Sequence, residues 1–180
     1  MNRLISELLD HARVTAGALS LEVVTLDLRL AIAIAIRQYE YGDAPRITFQ
    51  PPPEPVQVRG DPDRIAQIVG NVLDNAVKYS PGGSPIAVAL AVVDDEAQVR
   101  IEDVGVGIAP DERDGIFAPF YRSSRTRAVP GTGLGLHLGR RLAEQHRGRL
   151  WLETSTDEPP GSVFMLALPL ADSVPPGAPH

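Results

Sequence analysis

The segment from Asp61 to Ser80, DPDRIAQIVGNVLDNAVKYS, determines the fold that the sequence predicts. Asp61 can cap the free backbone N–H groups of a helix, and Pro62 suits the first helical position, where no donor is needed. The segment 81–83, Pro-Gly-Gly, cannot continue the helix, so one long helix is predicted. At about 100° per residue, its apolar side chains share one broad face. That face consists of Ile65, Ile68, Val69, Val72 and Ala76.

A polar stripe runs beside this apolar face and contains Arg64, Gln67, Asn71, Asn75 and Lys78. Such a stripe is often only solvated, but helix propensity does not explain two asparagines in a helix interior. Carboxamide oxygens can bind a hard cation, and a lysine can bind phosphate. The stripe therefore indicates either a solvated face or a site for a metal and a phosphate group.

Composition limits the class of protein. The chain has 180 residues, of which 43% are hydrophobic and 22% are charged, as is normal for a globular domain. It has no cysteine, which excludes disulfides and thiolate metal sites. A net charge of −6 argues against nucleic acid as the main partner. No apolar run is long enough to span a bilayer, and the N-terminal segment lacks a signal-peptide core.

Periodicity and turn residues predict the other elements. Further helices are predicted at residues 1–17, at 26–41 and from the glycine-rich turn 131–136 to His146. Short strands are predicted at residues 46–49, 56–59, 86–93, 97–103, 150–155 and 162–168, with Asp94-Asp95-Glu96 joining a hairpin. Residues 171–180 are expected to be disordered.

The first predicted helix carries a narrow apolar seam of Leu4, Ile5, Leu8, Leu9 and Ala12. This three- and four-residue spacing is typical of a coiled-coil strand. One helix cannot bury such a seam alone, so we expect a partner helix and a dimer through this segment.

Asp103 ends a predicted strand on the same face as Val99 and Ile101. A carboxylate on an apolar face is costly unless it is hydrogen-bonded. Downstream, residues 109–130 lack periodicity, as is usual for a functional or mobile loop. The turn 131–136, GTGLGL, then opens a helix, and such a turn is either a simple tight turn or an anion site.

Together these segments resemble the ATP-binding domain of bacterial sensor histidine kinases, within the gyrase/MutL/histidine-kinase ATPase superfamily. NVLDNAVKYSP at 71–81 resembles the N box of the family, and EDVGVGIAP at 102–110 resembles its first glycine box. IFAPFYR at 116–122 resembles its phenylalanine motif, and GTGLGL at 131–136 resembles its second glycine box. Four motifs in the family's order are far more specific than any one of them.

The resemblance implies an α+β fold, the two-layer α/β sandwich of the Bergerat type. Its mixed, mostly antiparallel sheet is covered on one face by helices. Residues 1–19 would be the end of a dimerisation hairpin, residues 20–170 the ATP-binding catalytic domain and residues 171–180 a disordered tail.

The resemblance also implies roles in binding ATP and Mg²⁺. Asn75 would hold the Mg²⁺ with support from Asn71, and Lys78 would lie against phosphate. Tyr79 would contact the base, and Asp103 would accept a hydrogen bond from the adenine amino group. The other implied ATP-binding residues are Gly105, Gly107, Ile108, Phe120, Arg122, Gly131, Thr132, Gly133, Leu134, Gly135 and Leu136.

The implied reaction is phosphoryl transfer, with Asn71, Lys78 and Arg122 as catalytic residues and Arg125 as a second arginine. Related hydrolases such as gyrase carry a glutamate one turn before the metal-binding asparagine. Here Asn71 occupies that position, and a carboxamide cannot take a proton at neutral pH. We therefore expect transfer to a nucleophile other than water.

The phosphate-accepting histidine of the family has no clear counterpart. His11 is followed by Ala12 and Arg13 instead of an acidic residue, so we expect it to be a surface histidine on a packed helix. We expect His137 and His146 to serve local packing or capping. The chain would then be a fragment or one half of a split kinase, acting on a histidine-bearing dimerisation domain and, through it, on a response regulator.

Two other interpretations stay open at this point. One is a nucleotide-binding regulatory module, such as an anti-sigma-like serine kinase, and the other is a non-catalytic remnant. The phenylalanine motif and the hairpin-like first helix favour the histidine kinase, and the intact motifs argue against a remnant. A cytoplasmic location is expected, with the chain as the cytoplasmic part of a membrane sensor kinase as one version of it.

Overall fold

A computed structural model describes residues 2–39, 46–123, 129–157 and 160–173, and within these ranges it contains four α-helices and seven strands. The helices are α1 (Asn2–Thr15), α2 (Leu28–Arg37), α3 (Pro62–Tyr79) and α4 (Gly135–Gln145). The strands are β1 (Val24–Asp27), β2 (Ile47–Phe49), β3 (Gln57–Gly60), β4 (Ile86–Val93), β5 (Glu96–Asp103), β6 (Arg149–Asp157) and β7 (Pro160–Pro169).

The main sheet has the strand order β2-β4-β5-β7-β6, and β1 and β3 form a separate antiparallel pair. Only β2 and β4 run parallel among the paired strands of the main sheet, so this sheet is mixed and mostly antiparallel. Alternate residues of β5 are buried, and these buried positions include Val99, Ile101 and Asp103. Helices α3 and α4 contact the sheet and each other, and α2 packs on α3. This is the predicted α+β arrangement.

Helix α3 begins and ends as its sequence predicts. Asp61 is the N-cap, and its Oδ1 accepts hydrogen bonds from the backbone N–H groups of Asp63 and Arg64, each at 3.1 Å. Pro62 occupies the first helical position. The apolar face is buried almost completely, and its members are Ile65, Ile68, Val69, Val72 and Ala76.

The predicted helix over residues 26–41 is wrong at its start. Residues 24–27 form β1, which pairs with β3 from Val24 opposite Gly60 to Asp27 opposite Gln57. Asp27 then caps α2, because its Oδ1 accepts a hydrogen bond from the backbone N–H of Arg29 at 3.1 Å. Helix α2 ends at Arg37, and residues 40 and 41 of the predicted helix lie outside the described ranges.

Two turns also differ from the predictions. Val93 pairs with Glu96, so the hairpin turn is Asp94-Asp95 alone, with Asp94 at φ 52°. The segment predicted to be disordered begins with a 3₁₀-helix over Ala171–Ser173, and residues 174–180 lie outside the described ranges. Short elements of this kind depend on local hydrogen bonds that composition does not reveal.

Helix α1 packs on α4 and is joined to α3 by side-chain hydrogen bonds. The Oδ2 atom of Asp10 accepts hydrogen bonds from Arg64 Nη1 at 3.0 Å and from Gln67 Nε2 at 2.9 Å. Val14 is buried in the core, one turn further along α1. Arg64 and Gln67 therefore hold α1, whereas the sequence had placed them on one polar stripe with Asn71 and Asn75.

The predicted apolar seam of α1 faces away from these contacts. Ile5, Leu8 and Leu9 are 53%, 43% and 53% exposed, and Ala12 is exposed as well. The side chain of Leu4 lies outside the described residues. None of the described helices combines the length and the apolar character needed to cross a membrane.

Arg147 follows the C-cap of α4 and adopts a left-handed conformation with φ 58°. The backbone N–H of Gly148 donates to the carbonyl of Ala143 at 2.9 Å, which closes the last turn. Glycine is the usual residue at such a position, because a Cβ atom in this conformation costs roughly 1 kcal/mol.

We expect Arg147→Gly to raise the free energy of unfolding by about 0.5–1 kcal/mol relative to Arg147→Ala. The alanine variant is the matched control, because it removes the same side chain and keeps the strained Cβ atom. Urea unfolding followed by circular dichroism measures both. Equal stability of the two variants would contradict the strain argument.

Candidate functional site

A cavity of about 400 Å³ opens between α3, the end of β5, the loop after it, and β7. This volume is in the range of small-molecule sites. The sequence-predicted residues that line it are Asn71, Asn75, Lys78, Tyr79, Asp103, Gly107, Ile108, Arg122, Gly131, Thr132, Gly133, Gly135 and Leu136. Three motifs that are far apart in the sequence, together with Arg122 of the phenylalanine motif, therefore converge on one cavity.

Helix α3 turns a polar face toward the cavity, with Asn71, Asp74, Asn75 and Lys78 among its lining residues. These positions recur at helical spacing, so burial of the opposite apolar face directs all of them to the same side. Asn71 is buried, and its Nδ2 atom makes no hydrogen bond within the described residues. A buried donor without an acceptor costs about 1–3 kcal/mol, so the described residues leave this amide unsatisfied.

Asp103 lies at the end of β5 and is the buried carboxylate of the cavity. Its Oδ1 accepts a hydrogen bond from the backbone N–H of Gly105 at 2.8 Å. Burial raises the pKa of Asp103 to about 6, although hydrogen bonds from the backbone N–H groups of Gly105 and Ser162 act in the opposite direction. A Cβ atom on Gly105 would lie 2.6 Å from Asp103 Oδ1, so only glycine fits there.

The segment after β5 forms one wall of the cavity. Glu112 and Ser123 both line it, and the Ser123 hydroxyl donates to Glu112 Oε2 at 2.8 Å. Arg122 is exposed and donates from Nη2 to the carbonyl of Val129 at 2.6 Å. Arg125, the second arginine named from the sequence, lies outside the described residues.

The glycine-rich turn closes the cavity at the start of α4. Gly133 adopts φ 74°, and a Cβ atom there would lie 2.5 Å from the Tyr121 carbonyl oxygen. The backbone N–H of Leu134 donates to Thr132 Oγ1 at 3.1 Å. Gly135 and Leu136 line the cavity at the first turn of α4, where N–H groups lack intrahelical acceptors and favour an anion.

Three of the residues assigned to ATP binding lie outside the cavity lining. Gly105 is buried behind Asp103, as described above. Leu134 is fully buried among the hydrophobic residues. Phe120 is 58% exposed and its ring meets the His11 ring edge-on at 5.6 Å. For these three residues, the position in the motif did not predict whether the residue lines the cavity.

Several lining residues were not predicted from the sequence. Ser162 and Phe164 reach the cavity because β7 pairs with β5, with Ser162 opposite Asp103. Glu112 and Tyr121 come from the loop whose path the sequence did not predict. Asp74 could have been found, because it shares the helical spacing of Asn71 and Lys78.

The histidines have structural contacts. His146 is buried, donates from Nδ1 to the Leu142 carbonyl at 2.7 Å and accepts at Nε2 from the Asp61 backbone N–H at 3.0 Å. His137 donates from Nδ1 to the Phe117 carbonyl at 3.0 Å. The packing roles predicted for both are confirmed. His11 is half-buried, and its ring centroid lies 5.2 Å from that of His137.

Comparison with known families agrees with this geometry. Residues 60–172 match the model of the histidine kinase-, DNA gyrase B- and HSP90-like ATPases. The chain belongs to this ATPase family. Within the family it is similar to "Adaptive-response sensory kinase SasA" of a Synechococcus strain, with 34% identity over 174 residues, which cover 94% of this chain and 46% of that protein. The resemblance to sensor histidine kinases is confirmed.

Another relative is "Signal transduction histidine-protein kinase/phosphatase MprB" of Mycolicibacterium smegmatis. It is 34% identical over 181 residues, which cover 99% of this chain and 36% of that protein. This ATPase-family chain thus spans less than half the length of either relative.

Solved structures show the same fold. A mycobacterial sensor histidine kinase MprB superposes with a TM-score of 0.72 and 34% identity, covering 82% of this chain and 98% of that one. Full-length ShkA in complex with AMPPNP superposes with a TM-score of 0.76 and 24% identity, covering 93% of this chain and 35% of that one. The predicted fold class is confirmed.

Because the Asp103 pKa is raised from 3.8 to about 6, the folded chain binds a proton that the unfolded chain releases near pH 4. Asp103 therefore lowers stability as pH rises from about 4 to 6. Asp103→Asn removes this term. We expect the stability difference between variant and parent to move in favour of the variant by about 1–3 kcal/mol between pH 4 and pH 7.5.

Urea unfolding at both pH values measures this difference. The other carboxylates titrate alike in both proteins and cancel in the comparison. A difference that stays constant with pH would show that Asp103 is not buried as described.

Proposed function

We propose that this chain binds Mg-ATP in the cavity and transfers the γ-phosphate to a histidine of another segment or chain. The phosphate would then pass to a response regulator in two-component signalling. The observation that carries this proposal is the convergence of Asn71, Asn75 and Lys78 with the buried Asp103 and the glycine-rich turn on one cavity. Membership of the ATPase family and the kinase names of the relatives support it.

The adenine end of the ligand would lie at Asp103. A carboxylate among apolar neighbours accepts a hydrogen bond strongly from an exocyclic amino group. Gly105 holds the Asp103 carboxylate from behind, and Phe164, Ile108 and Tyr79 supply apolar surface for a flat base. A site built around a buried polar acceptor discriminates against ligands that lack the matching donor.

The phosphate end would lie between α3 and the start of α4. The amides of Asn71 and Asn75 offer hard oxygen ligands, and the Nδ2 atom of Asn71 has no hydrogen-bond partner among the described residues. These residues fit Mg²⁺, with Asn75 as its ligand. Bound there, Mg²⁺ supplies charge neutralisation on the phosphate oxygens. Lys78 and the N–H groups at the first turn of α4 would bind the remaining phosphate charge.

The chemistry of the described cavity favours transfer over hydrolysis. Asn71 cannot accept a proton from water, whereas a neutral histidine nitrogen is already nucleophilic. The nitrogen would form a bond to the γ-phosphorus while the bond to the bridging oxygen breaks, and ADP would leave with the electron pair. The main contribution of Lys78 and Arg122 would be positioning and charge stabilisation.

The exposed seam of Ile5, Leu8 and Leu9 is the surface that we propose for a dimerisation hairpin. In this assignment residues 1–19 belong to the hairpin, and residues 20–170 form the catalytic domain. We infer a cytoplasmic location, because the proposed reaction needs ATP and a response regulator.

We expect Asn75→Ala and Asp103→Ala each to weaken ATP binding at least about 100-fold, because each removes a polar partner that the cavity cannot replace. Isothermal titration calorimetry with ATP and Mg²⁺ measures the affinity. Asp63→Asn is the matched control, since Asp63 is exposed on the first turn of α3 and outside the cavity lining. Parent-like affinity in both site variants, with the fold intact by circular dichroism, would refute the assignment.

We further expect the chain to phosphorylate, from γ-³²P-ATP, an added histidine-bearing dimerisation hairpin of a related sensor kinase. The label should be acid-labile, as a phosphorus–nitrogen bond is, and should vanish when the hairpin histidine is replaced by glutamine. An acid-stable label would indicate a serine kinase. Strong self-labelling that survives His11→Gln would contradict transfer to a second segment.

A further inference from the structure

Asp74 is a carboxylate of the cavity that lies within the N box at 71–81 and has no assigned role. It lies on the cavity-facing side of α3, directly before Asn75 and one turn before Lys78. The other carboxylate of this helix, Asp63, is exposed and outside the cavity lining. Asp74 is thus placed beside the residues to which we assign the metal and the phosphates.

A residue from a different part of the chain holds this carboxylate in place. The Tyr39 hydroxyl donates to Asp74 Oδ1 at 2.6 Å and lies 3.3 Å from the Gly70 carbonyl oxygen. A length of 2.6 Å is typical of a hydrogen bond from a hydroxyl to an ionised carboxylate. Tyr39 follows α2 and packs against the hydrophobic core, so its hydroxyl is a rigid support.

Charge makes the position of Asp74 unusual for a site that binds a polyanion. Among the described lining residues, the carboxylates are Asp74, Asp103 and Glu112, and the cations are Lys78 and Arg122. A carboxylate close to a triphosphate repels it unless a divalent cation lies between them. Mg²⁺ prefers carboxylate oxygens and keeps several of its waters in protein sites.

We propose that Asp74, oriented by Tyr39, makes nucleotide binding depend on Mg²⁺ by accepting hydrogen bonds from water on the metal. This inference rests on the proposed function and adds a residue to it. Outer carboxylates of this kind tune metal affinity without being ligands themselves. Asp74 also repels ATP that carries no metal. One side chain therefore favours the binding of Mg-ATP and disfavours the binding of metal-free ATP.

The test measures ATP affinity by calorimetry as a function of Mg²⁺ concentration, from EDTA to 10 mM, in the parent and in Asp74→Asn. The variant keeps the shape of the side chain and removes its charge. In EDTA we expect the variant to bind ATP about threefold more tightly than the parent, because a repulsive charge is gone. The Mg²⁺ concentration at which half of the Mg²⁺-dependent increase in ATP affinity is reached should be about tenfold higher in the variant than in the parent.

Tyr39→Phe gives an independent readout. It should shift the Mg²⁺ dependence in the same direction and by less, and it should add nothing in the Asp74→Asn background, because the two residues act as one unit. Asp63→Asn, which removes a carboxylate of the same helix outside the cavity lining, should behave like the parent. A purely structural role of the pair would change affinity equally with and without Mg²⁺.

The outcomes separate this inference from the proposed function. If Asp74→Asn binds ATP with an unchanged Mg²⁺ dependence, the inference is wrong and the ATP site stands. If the parent itself gives no heat with ATP at any Mg²⁺ concentration, the proposed function is wrong and the inference falls with it.

Discussion

Helix α3 can bury only one of its faces, and that choice determines which of its side chains reach the cavity. Ile65, Ile68 and Leu73 are fully buried between the neighbouring helices and the sheet. With this face inside, Asn71 and Asn75 point to the cavity. Turning the helix by one residue would bring apolar side chains into the cavity and amides into the core, at a cost of several kcal/mol. Core packing and the site therefore depend on the same constraint.

The polar side of α3 serves two purposes along its length. Its first turns hold α1, because Arg64 and Gln67 both donate to Asp10. Its later turns line the cavity with Asn71 and Asn75. Helix α3 thus connects α1 with the wall of the cavity, in addition to the packing of α1 on α4.

Two polar groups of the cavity lower the stability of the free chain, and packing in the rest of the fold offsets this loss. Asp103 is buried with its pKa raised to about 6, and the Asn71 amide has a buried donor without an acceptor among the described residues. Neither group improves the stability of the free chain. Both would be satisfied by the ligand proposed above, which has an amino group at one end and charged oxygens at the other. Local departures of this kind are expected where function overrides stability.

The sequence by itself determined the position of α3, its caps, its apolar face and the four motifs, because periodicity and capping are properties of neighbouring residues. Tertiary structure decided which motif residues face the cavity. It buried Leu134, turned Phe120 toward His11 and brought Ser162 opposite Asp103 through strand pairing. The Tyr39–Asp74 contact joins residues 35 positions apart. Such contacts depend on strand register and on the packing of helices, and no local sequence pattern encodes either.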